Sequence, residues 1–237
     1  MYYAKDFVVR WHDTDLSGRV RPSAVMVYMQ ETANCQLEEH GPSLTALREV
    51  EKKIFILSKL RLELYEPLHA YDRITVQTWT SENRGYAFLR SFRILRNGTV
   101  AARAFTQWAL LRADTHALMR NEEFQYGMSH GDAPELSIPR RLSFPENMTV
   151  CGERTIRYAD ADYNHHMNNT RYPDMLCDYM PLEDAVRVRA MTLSFVSEAP
   201  LGETLTVLRG QEGQAYAFRT VNQAGKTCLE AQVELFA

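Results

Sequence analysis

The chain has 237 residues, of which 45% are apolar, so it can bury a sizeable core in one large domain or two small ones. A net charge of −3 gives no reason to expect a nucleic-acid partner. No apolar run approaches the ~20 residues of a membrane-spanning helix, and the N-terminal residues lack the basic and apolar regions of a signal peptide.

The spacing of the cysteines limits the possible chemistry and the cellular compartment of the protein. Cys35, Cys151, Cys177 and Cys228 lie far apart and form no CxxC pair. Because there is neither metal-type spacing nor a sign of secretion, the sequence predicts reduced thiols, no metal and a cytoplasmic protein.

The first half predicts a strand, a long helix and then about four antiparallel strands. The stretch FVVRWHDTDLSGR alternates and stops at polar residues and Gly18, as a strand entering a turn does. Pro22 and Gly41 suit the start and the end of a helix. One helical face is apolar at i, i+3, i+4 spacing: Val25, Tyr28, Met29, Thr32, Ala33, Gln36 and Leu37, widened by Met26 and Val27. Asn97-Gly98 predicts a hairpin between the third and fourth strand-like runs.

The second half repeats this order. Three residues recur at a constant spacing of 147 (157 − 10), with Arg10, Asp13 and Asp15 returning as Arg157, Asp160 and Asp162. A shorter helix in NTRYPDMLCDYMP and four strand-like runs follow, so one unit is duplicated. We predict an N-terminal unit at 1–127, a proline-rich linker at 128–147 and a C-terminal unit at 148–237. The class is α+β, and a long helix wrapped by an antiparallel sheet, present twice, resembles a double hot-dog fold.

A polar junction, DADYNHHMNNTRY, precedes the second helix. Asn168, Asn169 or Thr170 is an ordinary helix cap, and the unpaired N–H groups there could also hold a developing oxyanion. At the positions of Asn164 and His166 the first half has Ser17 and Arg19, so neither residue is needed to build the turn. This difference favours chemistry in the second half, with His166 as acid, base or donor.

The junction also carries a family resemblance. The pattern D-x-N-x-H-x-N-N-x-x-Y, formed by Asp162, Asn164, His166, Asn168, Asn169 and Tyr172, resembles the signature of acyl-acyl carrier protein (acyl-ACP) thioesterases, here a bacterial type similar to the plant enzymes. The resemblance extends over the whole chain. It implies hydrolysis of a fatty acyl-ACP thioester to free fatty acid, with ACP as the partner. No cofactor is expected, because a thioester is already activated.

The resemblance further implies a functional glutamate followed by cysteine. Here those positions hold Glu198 and Ala199, and Cys177 is predicted inside a helix, so a cysteine nucleophile is excluded. Acid–base hydrolysis remains, in which Glu198 or His166 activates water, Asn164 orients the water or the thioester, and Asp162 orients Asn164 or His166.

The remaining expectations concern binding. Acyl-ACP is expected in a tunnel beside the second helix, with backbone N–H groups near Asn168 and Asn169 holding the carbonyl oxygen. The acyl chain is expected on the first helix, against Val25, Met26, Met29, Ala33 and Leu37. A basic docking surface for ACP has as candidates Arg19, Arg21, Arg48, Lys52, Lys53, Arg140 and Arg141.

Two rival functions stay open. One is an acyl-CoA thioesterase of the same fold, and the other is a non-catalytic acyl-binding sensor. Acyl chain length is set by packing, which the sequence does not specify, and a monomer and a homodimer are both open.

Overall fold

The computed structural model describes residues 2–83, 85–124 and 131–237. The helices are α1 (Pro22–His40), α2 (Leu44–Glu49), α3 (Tyr172–Asp178) and α4 (Leu182–Ala185). The strands of the first half (residues 2–124) are β1 (Tyr3–Val8), β2 (Lys53–Leu64), β3 (Arg73–Thr80), β4 (Ala87–Arg96), β5 (Thr99–Arg112) and β6 (Leu118–Met119). Those of the second half (residues 148–237) are β7 (Thr149–Thr155), β8 (Val188–Phe195), β9 (Thr204–Glu212), β10 (Ala215–Val221) and β11 (Thr227–Leu235). Short 3-10 helices lie at Trp11–Asp13, Asn121–Glu123 and Asn169–Arg171.

All the described strands join one antiparallel sheet. Their order is β1-β3-β4-β5-β2-β8-β11-β10-β9-β7, with β6 paired to β5. The second half therefore reproduces the first in reverse spatial order, because β8, β11, β10, β9 and β7 stand where β2, β5, β4, β3 and β1 would. The expected α+β arrangement of strand runs around helices is confirmed. The division into two units and a linker stays a prediction, and part of that linker (128–130) lies outside the described residues.

The long helix is built largely as its sequence predicts. Pro22 occupies the first turn of α1, and Gly41 caps its end by donating its N–H to the Leu37 carbonyl at 2.8 Å. The predicted apolar face is buried or half-buried, but Val27 is 41% exposed. The sheet and α3 cover the helix without enclosing it. The prediction that Val27 widens the apolar face was therefore wrong.

The duplication is visible in backbone hydrogen bonds. We call residues 10–21 the first turn and residues 157–168 the second turn. In the first turn Asp13 donates its N–H to the Arg10 carbonyl at 3.0 Å, and in the second Asp160 donates to the Arg157 carbonyl at 2.9 Å. The carboxylate also accepts from the arginine backbone in both turns. The repeated arginine and aspartate therefore build the same corner twice.

The second repeated aspartate also has one structural task in both turns. Asp15 Oδ1 accepts from the Ser17 N–H at 2.8 Å, and Asp162 Oδ1 accepts from the Asn164 N–H at 2.8 Å. Such a contact fixes an Asx turn, and it needs no particular side chain at the donor position. This is why serine and asparagine can exchange there without altering the turn.

The two halves share one core across the β2–β8 pair. Leu60 and Leu193 are partners in this pairing, and both are almost fully buried. Beyond the sheet, the segment from 131 onward contacts both halves: Trp79 Nε1 donates to the Asp132 carbonyl at 2.9 Å, and Gln232 Nε2 donates to the Ser143 carbonyl at 2.8 Å. Among the described helices, none is long and apolar enough to cross a membrane.

The shared core predicts cooperative unfolding. Leu193→Ala should lower the free energy of unfolding by about 2–5 kcal/mol, because a buried leucine leaves a cavity. The measurement is denaturant unfolding followed in parallel by fluorescence and circular dichroism. Val150→Ala is the matched control, since Val150 is largely exposed and its loss should cost no more than about 0.5 kcal/mol. Two separated transitions in the Leu193→Ala protein would contradict a single shared core.

Candidate active site

The second turn pairs with the segment that follows β8. Met167 donates its N–H to the Ala199 carbonyl at 2.8 Å, and His166 forms an isolated antiparallel bridge with Pro200. This pairing brings the side chains of His166 and Glu198 together, with 3.4 Å between Nε2 and Oε2. Their side chains are 29% and 42% exposed, so water can reach both. A histidine beside a carboxylate is suited to taking and returning a proton.

The matching place in the first half has no such pair. There the Val20 N–H donates to the Leu68 carbonyl, also at 2.8 Å. The residues that match the histidine and the glutamate are therefore Arg19 and Pro67. Neither of these is an acid or base near neutral pH, which supports the expectation that chemistry lies in the second half alone.

Asp162 acts on the backbone. Its Oδ1 accepts from the Asn164 N–H, and its own N–H donates to the His166 carbonyl at 2.9 Å. The sequence predicted that Asp162 orients Asn164 or His166 through a hydrogen bond, and in the described residues it bonds to the backbone of both. It therefore shapes the loop that presents Asn164 and His166.

A residue of the first half reaches Asn164. Arg48, on α2, donates a short hydrogen bond from Nη1 to Asn164 Oδ1. The same guanidinium lies 4.5 Å from the ring centre of Tyr163, within the range of a cation–π contact. The sequence placed Arg48 among the docking candidates and missed this contact, because no local pattern relates positions 48 and 164.

Asn168 is the N-cap of the 3-10 helix Asn169–Arg171. Its Oδ1 accepts from the N–H of Thr170 at 2.9 Å and from its hydroxyl at 2.8 Å. The Asn168 N–H is already used, since it donates to the Asp160 carbonyl at 2.8 Å. Of the two predicted oxyanion donors, Asn169 is the better placed, because it begins the 3-10 helix, where the first N–H groups have no intrahelical acceptor.

A cavity of about 710 Å³ opens beside the second turn. Asp162, Asn164, Asn168 and Asn169 line one side of it, and residues of α1, α2 and the first-half strands line the rest. The cavity therefore lies beside α1, not beside the second helix as expected. Helix α1 has 19 residues and α3 only seven, so the first half offers the longer wall.

The predicted acyl-binding residues divide between this cavity and the core. Ala33 and Leu37 line the cavity. Met26 and Met29 are buried in the main core, and Val25 borders a separate pocket of about 30 Å³. The apolar lining comes instead from side chains that the sequence did not single out: Leu47, Ile54, Phe55, Phe88, Trp108 and Phe124.

The cysteines are placed as expected for a site without a thiol nucleophile. Cys177 lies in α3, and burial raises the pKa of its thiol to about 12. Ala199, at the position where the resembling family has cysteine, is almost fully buried. Its carbonyl, not its side chain, contributes to the site by accepting from Met167.

The described residues thus form two helix-and-sheet halves joined through the β2–β8 pair, with a histidine–carboxylate contact in the second half. Models of the acyl-ACP thioesterase N-terminal and C-terminal domains match residues 1–124 and 147–234. The chain belongs to the acyl-ACP thioesterase family.

Relatives and solved structures agree with this membership. Oleoyl-acyl carrier protein thioesterase 2, chloroplastic, from Arabidopsis thaliana is 23% identical over 89% of this chain and 63% of its own length. The chain thus spans less than two thirds of that relative. An acyl-ACP thioesterase from Bacteroides thetaiotaomicron has a TM-score of 0.88 at 21% identity, over 99% of this chain and 98% of its own. The 12:0-ACP thioesterase from Umbellularia californica has a TM-score of 0.85 at 18% identity, over 99% of this chain and 97% of its own. These likenesses confirm the hot-dog fold class.

His165 provides a test that separates shape from chemistry. It has a left-handed backbone with φ of 63°, and the matching residue of the first turn is Gly18, with φ of 79°. His165→Gly should therefore leave thioester hydrolysis intact and change the free energy of unfolding by no more than about 1 kcal/mol. Steady-state kinetics and denaturant unfolding check both parts, with His166→Ala as the variant that loses turnover. A large loss of turnover in His165→Gly would contradict this prediction, because it would place the chemistry on His165.

Proposed function

We propose that this protein hydrolyses the thioester of fatty acyl-ACP and releases free fatty acid. The observation that carries the proposal is the contact of His166, in the second turn, with Glu198, after β8, at 3.4 Å. Their side chains are not part of the cavity wall, but Asn164 and Asn168 of the same turn are. Family membership supplies the reaction class, and the names of plant relatives specify oleoyl-ACP and palmitoyl-ACP as theirs.

In the proposed reaction, Glu198 and His166, in contact with each other, bind a water beside them and take its proton. The hydroxide attacks the thioester carbonyl carbon, a tetrahedral intermediate forms, and the carbon–sulfur bond breaks. The proton passes to the departing thiolate, so the products are a fatty acid and the carrier thiol. Either member of the pair can be the first proton acceptor, since each is solvent-accessible and touches the other.

The orientation of two side-chain amides supports a specific role for them. Asn164 Oδ1 is engaged by Arg48, and Asn168 Oδ1 is engaged by Thr170. An amide whose oxygen is engaged keeps its NH₂ group for donation. Neither NH₂ group donates within the described residues, and both asparagines line the cavity. We infer that these NH₂ groups, with the Asn169 N–H, receive the carbonyl oxygen as it becomes negative.

This assignment chooses between two roles that the sequence left open for Asn164. As a donor it binds the thioester oxygen, whereas as an acceptor from water it would use the oxygen on which Arg48 already engages one of two lone pairs. Arg48 is then a positioning residue, because it acts through Asn164. Asp162 positions the same residue from the backbone side.

The acyl chain is proposed to lie in the cavity beside α1. A volume of about 710 Å³ falls within the ordinary range for ligand sites, and nine of its lining residues are aromatic or large aliphatic side chains of the first half. The first half is thus proposed to hold the chain and the second half to hydrolyse it.

Acyl-ACP is the proposed partner, and a basic docking surface stays a prediction. Four candidates have other contacts. Arg48 binds Asn164, and Lys53 lies 3.0 Å from Glu51. Arg19 donates to the Val186 carbonyl at 3.5 Å, and Arg21 lies 3.9 Å from Asp174. The remaining candidates are Lys52, Arg140 and Arg141. A cytoplasmic location and the choice between monomer and homodimer also stay predictions.

The first test is thiol release from a panel of acyl-ACPs. Glu198→Ala and His166→Ala should each lower kcat by about 100-fold or more, the usual loss when a general acid–base group is removed. Both side chains are partly exposed, so circular dichroism and the unfolding midpoint should stay close to those of the unaltered protein. The same measurement on acyl-CoA substrates of matched chain length distinguishes an acyl-ACP thioesterase from an acyl-CoA thioesterase. Tight acyl-ACP binding without any thiol release would establish the sensor alternative instead.

The second test concerns Arg48. Arg48→Ala should lower kcat by about tenfold with a smaller change in KM, because the amide of Asn164 loses its orientation. Arg48→Lys should restore part of kcat, since lysine keeps one charged donor. Arg120→Ala is the matched control, because Arg120 also lies over a tyrosine ring, that of Tyr86, and does not itself line the cavity. An effect on KM alone, without rescue by lysine, would assign Arg48 to docking.

A further inference from the structure

The repeated arginine has different contacts in the two turns. In the first turn the guanidinium of Arg10 donates to both carboxylate oxygens of Asp13, at 2.9 and 3.0 Å. In the second turn Arg154 takes that place, because it donates to Asp160. The guanidinium of the matching Arg157 is exposed and has neither an ion pair nor a hydrogen bond within the described parts of the chain. The duplication therefore leaves one cation without a structural partner in the half that carries the acid–base pair.

The β10–β11 hairpin also departs from its first-half counterpart. The loop between β4 and β5 has two residues, 97–98, whereas the loop between β10 and β11 has five, 222–226. The longer loop ends in Lys226, which is exposed, and its ammonium group has no partner among the residues that the structure describes. Loops carry binding residues more often than the elements they connect.

Backbone hydrogen bonds attach the second turn to one end of the segment 196–202, which contains Glu198. Gly202 donates its N–H to the carbonyl of Ile156 at 2.9 Å, and Ile156 directly precedes Arg157. The backbone at Arg157 is therefore held against the C-terminal end of this segment.

The β10–β11 hairpin is attached to the other end of the same segment. The Ser197 hydroxyl donates to the Thr227 carbonyl at 2.7 Å, and the Ser197 N–H donates to the Cys228 carbonyl at 3.2 Å. Lys226 directly precedes Thr227. One exposed cation is thus held near each end of the segment, and the Glu198 carboxylate belongs to the stretch between these ends.

The segment also exposes two large apolar side chains. Val196 and Leu201 have 51% and 50% of their surface exposed, and they stand on either side of Glu198 in the sequence. We call Arg157, Val196, Leu201 and Lys226 the docking rim. Exposed apolar side chains with charged residues at the edge are the ordinary composition of a protein–protein interface.

A thioester attached to a carrier protein has to bring part of that protein close to the pair that hydrolyses it. We propose that the docking rim receives an acidic face of the carrier protein. Arg157 and Lys226 lie opposite its carboxylates, and Val196 and Leu201 contact its apolar side chains. The two cations also offset the repulsion between that face and Glu198. The inference rests on the proposed function and specifies where its partner binds. Neither cation is among the docking candidates from the sequence.

The test compares two substrates with the same acyl chain. One is acyl-ACP, and the other is the N-acetylcysteamine thioester, which has no carrier protein. The double variant Arg157→Glu/Lys226→Glu should lower kcat/KM on acyl-ACP by about tenfold at low ionic strength, mainly through KM. Added salt should reduce the difference from the unaltered protein, because exposed charges are screened. On the small thioester the double variant should stay within about twofold of the unaltered protein, since it removes only contacts with the carrier.

Two single variants separate charge from apolar contact. Arg157→Lys keeps the charge and should retain most of kcat/KM on acyl-ACP. Leu201→Ser should lower kcat/KM on acyl-ACP by about fivefold, as expected for a half-exposed interface residue. This loss should persist in added salt, and the small thioester should be hydrolysed as before.

Arg73→Glu is the matched control. Arg73 is exposed, lies on β3 near the other edge of the sheet, and has no side-chain partner in the described residues. Arg73→Glu makes the same charge change as Arg157→Glu and should leave kcat/KM on acyl-ACP unchanged. A loss as large as that of Arg157→Glu would overturn the inference, because net charge would then explain both. Equal losses of the double variant on acyl-ACP and the small thioester would overturn it too. Equal losses on acyl-ACP and acyl-CoA would assign the cations to the phosphate that both substrates carry, and not to a carrier face.

The outcomes distinguish the docking rim from the proposed function. Hydrolysis of acyl-ACP that no rim variant alters leaves the proposed function standing and removes the docking rim. If the unaltered protein hydrolyses no thioester, the proposed function is lost, and binding of acyl-ACP followed by fluorescence anisotropy tests the rim. In that case the double variant should raise Kd by about tenfold, and an unchanged Kd would remove the rim as well.

Discussion

The site depends on one backbone interaction, the pairing of the second turn with the segment after β8. The Met167 N–H reaches the Ala199 carbonyl, and this single register brings His166 to Glu198. The same pairing exists in the first half between Val20 and Leu68. A duplicated scaffold thus repeats one backbone register in both halves, and the residues that occupy it decide whether the place can do acid–base chemistry.

The unequal helices explain where a ligand can lie. Helix α1 runs for 19 residues and carries the wall of the cavity, whereas α3 has seven and leaves no comparable length. The cavity therefore forms between the second turn and the first-half wall, so each half is incomplete without the other. The hydrogen bond from Arg48 on α2 to Asn164 crosses the same boundary. The β2–β8 pair, with its shared core, keeps the two sides in register.

Much of this arrangement could be predicted from the sequence, because the duplication and the turns are encoded by residues close to one another in the chain. The spacing of 147 located both turns, and Pro22 and Gly41 bounded α1. Helix α2 was missed, although Ser43 caps it by accepting from the Ala46 N–H, since six residues carry too little periodicity to stand out. The lining of the cavity was also missed. It comes from side chains on separate strands and on α2, and their common face is set by tertiary packing. The same reason hid the contact of Arg48 with Asn164.

The burial of Ala199 bears on the proposed hydrolysis. Its side chain is almost fully buried, while its carbonyl fixes the register of the second turn. A larger nucleophilic side chain at that position would point into the core and not toward the cavity, so alanine there removes no reacting group. Cys177 is half-buried in α3, and desolvation raises the pKa of its thiol to about 12, so the thiol stays protonated near neutral pH. The exposed pair of His166 and Glu198 is consequently the arrangement in this region that can both reach water and exchange a proton with it, which favours direct attack by water over a covalent acyl intermediate.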